Sequence, residues 1–383
     1  MSESLNIVIF GLSVTSSWGN GHATTYRGLM KGLHGRGHKV VFMERDLPWY
    51  ASNRDMSHPP FGRVHLYNSI RRMKQRFRAQ IANADLVIVG SYVPEGLEIG
   101  EWVTRTATGL TAFYDIDTPV TLAKLDRGVC DYVSARLISR YSLYLSFTGG
   151  PTLRCIERKY GARSAQPLYC SVDPQLYSPQ RCASKWDLGY LGTYSEDRQA
   201  PLEELLLNPA RQIQNWRMIV AGAQYPATIG WPQNVERVDH VPPRKHRRFY
   251  GSQRFTLNLT RAEMRRAGYS PSVRLFEAAA CGTPIISDHW QGLETFFRPG
   301  QEILVSSGAK QTIEYLQDLP DSERIVIGQN GRQRVLRAHT ALHRAMELEL
   351  MIGAVSGRSF AIARNPILDS TANSLKAVVQ PGD

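Results

Sequence analysis

Short apolar segments alternate with helical stretches along this chain, and the pattern starts again near Lys185. Alternation of this kind implies parallel strands joined by right-handed helical crossovers. In the first part, strands are expected at 5–11, 39–44, 85–90, 110–114 and 143–147. Helices are expected near 21–36, near 69–83 and onward from Pro94. The polar, Pro-rich stretch 47–61 reads as a long loop. In the second part, strands are expected at 186–191, 217–222, 235–238, 255–259 and 284–287. Helices fall at 201–207, 243–252 and 273–281. A long helical region opens near Asp321, with Ile327, Gly331, Val335 and Ala338 on one face. A chain of 383 residues is too long for one ordinary core and suits two. The fold class is therefore α/β, with two Rossmann-like, doubly wound domains at 1–180 and 181–352. The remainder, 353–383, is small and polar and reads as a disordered tail.

Composition excludes several classes. No apolar run approaches the ~18 residues of a membrane span, and no basic segment precedes an apolar one at the N-terminus. Five scattered cysteines with no C-x-x-C pair argue for reduced thiols and against a cysteine zinc site. Both points favour a cytoplasmic protein. The net charge of +12 is spread over the chain: residues 1–178 carry 21 basic and 14 acidic side chains, the rest 25 and 20. Two clusters stand out, Arg71, Arg72, Lys74, Arg76 and Arg78, and Arg244, Lys245, Arg247 and Arg248. Solvated helix faces explain them most simply. An acidic membrane surface, a nucleic acid or steering of anionic substrates are the functional readings. No nucleic-acid-binding module is recognisable, which ranks that partner well below the others.

Ligands of doubly wound sheets collect at the carboxyl ends of strands, and four loops there carry chemistry. The first, Gly11–His22, is rich in Gly and Ser. Its Ser17, Asn20 and Gly21 are candidates to line a cleft, and His22 is a candidate base or a capping residue. The spacing is not G-x-G-x-x-G, although the acid Glu44 follows, and no Gly-Lys-Ser/Thr is present; a nicotinamide-dependent oxidoreductase is disfavoured. The second loop holds Asp115 and Asp117. They suit a general base with an electrostatic helper, or helix capping before Pro119. The third, from Gly192 and Thr193 to Arg198, offers backbone and hydroxyl donors for a diphosphate, or is a plain connection.

The fourth loop is the most informative. Asn258, Thr260 and Arg261 end one strand, and Ser-Pro-Ser-Val-Arg-Leu-Phe-Glu-Ala-Ala-Ala-Cys-Gly-Thr-Pro follows over 270–284. A polar loop ending at Ser272 opens a short helix, and a helix N-terminus is a seat for phosphate. Arg274 can add a bidentate contact. Glu277, one turn on, can accept from sugar hydroxyls. A surface ion pair between the two is the plain alternative. His339 and His343, four apart in the closing helical region, lack a third metal ligand and read as a satisfied or solvent-facing pair.

Several of these segments resemble the CgeB-like (spore maturation protein) glycosyltransferases of the GT-B superfamily. The matching pieces are 113–121, 191–198, 273–287, Gly292-Leu-Glu294, 298–302 and 331–340, within a likeness spanning roughly residues 5 to 350. The resemblance implies two Rossmann-like domains facing a cleft, with donor held by the second and acceptor by the first. Glu277 matches the glutamate expected on the ribose hydroxyls; Arg261 and Arg274 would face the diphosphate, and Gly192, Thr193, Ser272 and Glu294 are the further donor-binding candidates. Many GT-B enzymes of retaining type carry a further Glu eight residues earlier, where this chain has Tyr269. The expected activity is transfer of a sugar from a nucleotide-diphosphate sugar, UDP-sugar favoured, to an acceptor hydroxyl of a glycan, lipid or small molecule. It needs no metal or cofactor if arginines and helix dipole neutralise the diphosphate. Asp117, Asp115 and His22 are the candidate catalytic residues. A sugar-nucleotide epimerase on the same fold is the alternative enzyme, and a basic nucleic-acid-binding protein the alternative outside enzymes. The cytoplasmic location leaves room for peripheral contact with the inner face of a membrane through the basic surface.

Overall fold

The apolar segments of the first part are strands of one all-parallel sheet. In the computed structural model, which describes residues 4–19, 21–358 and 360, the strands are β1 (Asn6–Gly11), β2 (Lys39–Arg45), β3 (Arg63–Tyr67), β4 (Leu86–Gly90), β5 (Leu110–Asp115), β6 (Leu143–Ser146) and β7 (Ala165–Pro167). They pair in the order β3-β2-β1-β4-β5-β6-β7. Helices cover both faces, so β4 and β6 are buried throughout, and β4 reads as an unbroken apolar run. The two strands not expected from sequence, β3 and β7, are the edges. One reads Arg-Val-His-Leu-Tyr and the other ends in proline, as edge strands can.

The second sheet, also all parallel, comprises β8 (Trp186–Leu191), β9 (Met218–Ala221), β10 (Val235–Val238), β11 (Gln253–Asn258), β12 (Ile285–Ser287) and β13 (Leu304–Val305). Their order is β10-β9-β8-β11-β12-β13. β13, only two residues long, had no sequence signal. Strand order reverses between β1 and β4 in one sheet and between β8 and β11 in the other. Each reversal opens a crevice at the carboxyl ends of the strands.

The closing helical region differs from expectation. It is two helices, Asp321–Ala338 and Ala341–Ser356, broken at His339 and Thr340. Thr340 starts the second with a capping box in which His343 takes part, so the two histidines share no helix face. The break occurs where the chain returns to the first half, beyond the end of β7. Val172 N–H donates to His339 O (3.1 Å) and Ala341 N–H donates to Val172 O (3.1 Å). The last helix then packs on Gly21–Gly35, and a Cβ on Gly32 would lie 2.4 Å from Ala341 O. Only glycine permits that approach. Ala345, Leu348 and Ile352 are buried there. The helix runs on to Ser356, so 353–356 are ordered and not part of a tail; 361–383 lie outside the described residues.

Candidate functional site

The carboxyl ends of β8 and β11 meet the helix Val273–Ala280. Ser272 stands at its N-cap, but its hydroxyl donates to Asn258 Oδ1 (2.8 Å), and no side chain caps the helix. Its first N–H groups therefore face the crevice with their partial positive charge. Arg274 forms no ion pair with Glu277 and instead turns back over β8. Its Nε donates to Leu191 O, its Nη1 to Asn258 Oδ1 (3.2 Å), and its guanidinium lies 4.9 Å over the Tyr190 ring. The surface-pair alternative for Arg274 and Glu277 is thereby overturned: the arginine's fork is committed to β8 and β11. Gly192 makes room for it, since a Cβ there would sit 2.9 Å from Arg274 Nη2 and 2.5 Å from Tyr190 Oη. Thr193 is exposed beside it and its carbonyl accepts from Arg198 Nη2 (2.6 Å).

Arg198 carried no weight as a candidate on sequence grounds. Burial depresses its basicity and the neighbouring Arg274 charge adds to the effect. Its Nε is buried with no hydrogen-bond partner. Two guanidiniums thus stand side by side at the uncapped helix end. Arg261, the third, follows β11. Its backbone is pinned on both sides: Thr260 N–H and Oγ1 donate to Asp288 Oδ1 (3.1 and 2.9 Å), and Ala262 N–H donates to Asp197 Oδ2 (2.7 Å). Asp288, another residue without a sequence signal, has its carboxyl raised by burial, an effect only partly offset by the Thr260 bonds. Buried polar atoms lacking partners gather here: Tyr190 Oη, Arg198 Nε, Arg261 Nε and Asp288 Oδ2. Such atoms are rare in native interiors, and a cluster of them marks a place built for something else to bind.

Glu277 is buried one helical turn from Arg274. Tyr250 O–H donates to its Oε2 (3.2 Å), and His246 Nδ1 lies 3.8 Å from the same oxygen. Glu294 is half exposed on the rim, 3.4 Å from His289 Nε2. Tyr269 has a left-handed backbone (φ 48°), and its ring fills the space beside Gly150 of the first half and Gly292 of the second. Gly149 N–H donates to Tyr269 O (3.0 Å), so this residue joins the halves.

Across the crevice, Asp115 and Asp117 behave differently. Asp115 ends β5 and is fully buried beneath the loop. It accepts from Tyr144 Oη (2.5 Å), Thr121 Oγ1 (2.7 Å) and Asp117 N–H (3.2 Å). Burial outweighs these bonds and lifts its pKa to about 6. It shapes the loop and does not reach the crevice. Asp117, two residues on, does. Its Oδ2 accepts from Tyr92 Oη (3.0 Å) and stands 3.6 Å from Arg261 Nη1 of the other half, while its Oδ1 is buried with no partner. Burial raises its pKa, against the lowering effects of Arg261 and Tyr92. Tyr92 follows β4 with φ 60°, a strained backbone of the kind found at functional positions. His22 meets the Tyr92 ring edge-on at 5.4 Å, and burial lowers its pKa to about 4, which keeps it neutral.

The Gly/Ser loop is tied from below. Glu44 accepts from Ser13 Oγ (3.1 Å), Thr15 Oγ1 (2.5 Å), Val14 N–H (2.6 Å) and Thr15 N–H (3.0 Å). Both its oxygens are thus taken, which removes it as a ribose-binding acid for a nicotinamide cofactor. Ser17 is held by Asp55 through N–H and Oγ (2.9 and 2.8 Å) and turns to that carboxylate. Gly21 is exposed at the helix start. Asn20 lies outside the described residues.

A family model described as "Glycosyl transferase-like" matches residues 198–349, within the second half. No curated protein matches the chain by sequence. Among solved structures, the sucrose-phosphate synthase of Thermosynechococcus elongatus superposes with a TM-score of 0.69 at 14% identity, over 93% of this chain and 100% of that one. The Anabaena protein HepE in complex with UDP-glucose gives 0.67 at 13%, over 91% and 100%. An α-glucosyltransferase in complex with UDP and a 13-mer DNA gives 0.70 at 12%, over 91% and 100%. Identities this low speak to the fold, which is that of the GT-B glycosyltransferases. Residues 198–349 thus match a glycosyl transferase-like family, within a chain whose two-domain fold is the one these glycosyltransferases share.

Proposed function

We propose that the protein transfers a sugar from a nucleotide-diphosphate sugar, UDP-sugar by preference, to an acceptor hydroxyl, within the CgeB-like branch of these enzymes. The observation that carries this reading is the convergence of Arg198, Arg261 and Arg274 on an uncapped helix N-terminus, where burial depresses the basicity of Arg198 and the nearby Asp197 charge offsets this only in part. Three guanidiniums with two nearby carboxylates, Asp197 and Asp117, leave an excess of positive charge that suits an anionic ligand, and a diphosphate supplies one. In the neighbours HepE and the α-glucosyltransferase, the bound nucleotide is UDP. The donor is assigned to the second half, 181–352, with Gly192, Thr193 and Ser272 around the diphosphate, Glu277 on the ribose and Glu294 at the rim. The acceptor is assigned to the first half, 1–180, at the loop of Ser17, Asn20 and Gly21.

In the reaction, the bond from the sugar C1 to the β-phosphate oxygen breaks and a bond from C1 to the acceptor oxygen forms. The three guanidiniums and the helix dipole stabilise the charge developing on the diphosphate without a metal. If C1 inverts, a base must take the acceptor proton, and Asp117 is the group so positioned. Asp115 holds the Asp117 loop through its N–H, and neutral His22 packs the Tyr92 ring that orients Asp117. An acceptor in a glycan, a lipid or a small molecule fits equally. The exposed arginines of the helix Ile70–Ala82 suit contact with an acidic membrane surface. Among the described residues no helix is long and apolar enough to cross a membrane. Calorimetric titration with UDP, GDP, ADP and dTDP tests the reading. Binding by UDP is expected, and binding by none of the four refutes it.

A further inference from the structure

We propose that Asp117 and Arg261 form a donor-gated latch. With no nucleotide bound, Asp117 holds Arg261 across the cleft; the donor diphosphate draws the arginine away and frees the carboxylate for the acceptor hydroxyl. The inference rests on the glycosyltransferase reading above and adds to it the residue pair through which donor binding frees the base.

Four features of the pair support this. It joins the two halves, with Asp117 after β5 and Arg261 after β11. It is incomplete: a single N···O approach of 3.6 Å is longer than a hydrogen bond, and Asp117 Oδ1 and Arg261 Nε are both buried without partners. A finished structural bridge between arginine and carboxylate would use the guanidinium fork in two parallel bonds. Only one partner is free to move. The Arg261 side chain is 37% exposed against 15% for Asp117. The arginine's backbone is clamped by Asp288 and Asp197, so it can swing its side chain without moving its loop. Finally, Asp117 keeps its place when the arginine departs. Tyr92 still donates to it, and Lys124 stacks on the Tyr92 and Tyr132 rings at 4.6 and 5.1 Å, bracing that tyrosine.

The test is a double-mutant cycle on the full chain, read by calorimetric titration with UDP. Asp117→Asn releases Arg261, so UDP should bind about 2- to 5-fold tighter than to wild type, as expected for loss of one partly exposed ion pair. Asp117→Ala should act in the same direction, which guards against a packing effect of either side chain. In an Arg261→Met background, the same Asp117→Asn change should leave UDP affinity unaltered. A gain that persists without Arg261 signifies plain repulsion between Asp117 and the diphosphate and overturns the latch. Unchanged or weaker binding by both Asp117 variants also overturns it, while the nucleotide reading stands. Wild-type protein that does not bind UDP overturns the reading on which the latch rests.

Discussion

Replacing Arg198 by methionine separates the anion site from every other role of that residue. In the free protein, Arg198 is half-buried beside Arg274, its buried Nε has no partner, and its one good bond goes to Thr193 O at 2.6 Å. Losing that bond costs about 1 kcal/mol, and relieving the like-charge contact returns a similar amount. The melting temperature should therefore move by no more than about 3 °C. Binding is different. A hydrogen bond from a charged donor to phosphate contributes about 1.5–3 kcal/mol, so UDP affinity should fall roughly 10- to 150-fold. Uridine carries no phosphate and supplies the control. Calorimetry with UDP, UMP and uridine should show losses that grow with the number of phosphates, and no loss for uridine. UDP affinity within twofold of wild type would remove Arg198 from the site. An equal loss for uridine would show that the variant had damaged the fold instead.

Gly192→Ala pushes a methyl toward Arg274 Nη2 and Tyr190 Oη; UDP affinity should fall at least several-fold in the same titration, with the circular dichroism spectrum unchanged. Asp115 titrates near 6 in the folded chain, above its ordinary value of about 3.9. The folded state thus binds this proton more tightly than the unfolded one, and stability drops as pH rises from about 4 to 6, by about 3 kcal/mol from this group. Denaturant melts of Asp115→Asn should lack that component, so the difference between wild type and variant should change by that amount over the interval. Arg71, Arg72, Arg76 and Arg78 are exposed on a helix with no acid of its own. Co-sedimentation with phosphatidylglycerol vesicles should be salt-sensitive and should vanish when all four are changed to Glu, whereas neutral vesicles should not bind wild type.

How much of this was legible in the sequence follows from what each residue's role depends on. The alternation of strands and helices is local, and it predicted both sheets except at β3, β7 and β13, which lie at sheet edges where the apolar pattern thins or the strand is short. The 270–284 stretch was legible for the same reason: a capless polar loop, a short helix and a strand follow one another in sequence. Asp115 and Asp117 were inseparable, because two residues of spacing decide which one ends the strand inside the sheet and which one reaches the loop. Tyr92 and Asp288 left no signal, and Arg198 appeared only as the end of a candidate loop, with nothing to single out its side chain. Arg198 matters because folding sets it beside Arg274, 76 positions later in the chain. Tyr92 matters because of a backbone angle, and Asp288 because it clamps a loop ending 28 residues earlier. The break at His339 was hidden by helix-compatible residues on both sides, and it is imposed by the return of the chain to Val172.

The central claim is that the ends of β8 and β11 hold a nucleoside diphosphate. A crystal structure of the protein with UDP tests it most directly. The account predicts the diphosphate at the N-terminus of Val273–Ala280, within hydrogen-bond reach of Arg198, Arg261 or Arg274, with a ribose hydroxyl on Glu277. UDP seated elsewhere, or with its phosphates turned away from these arginines, would contradict it.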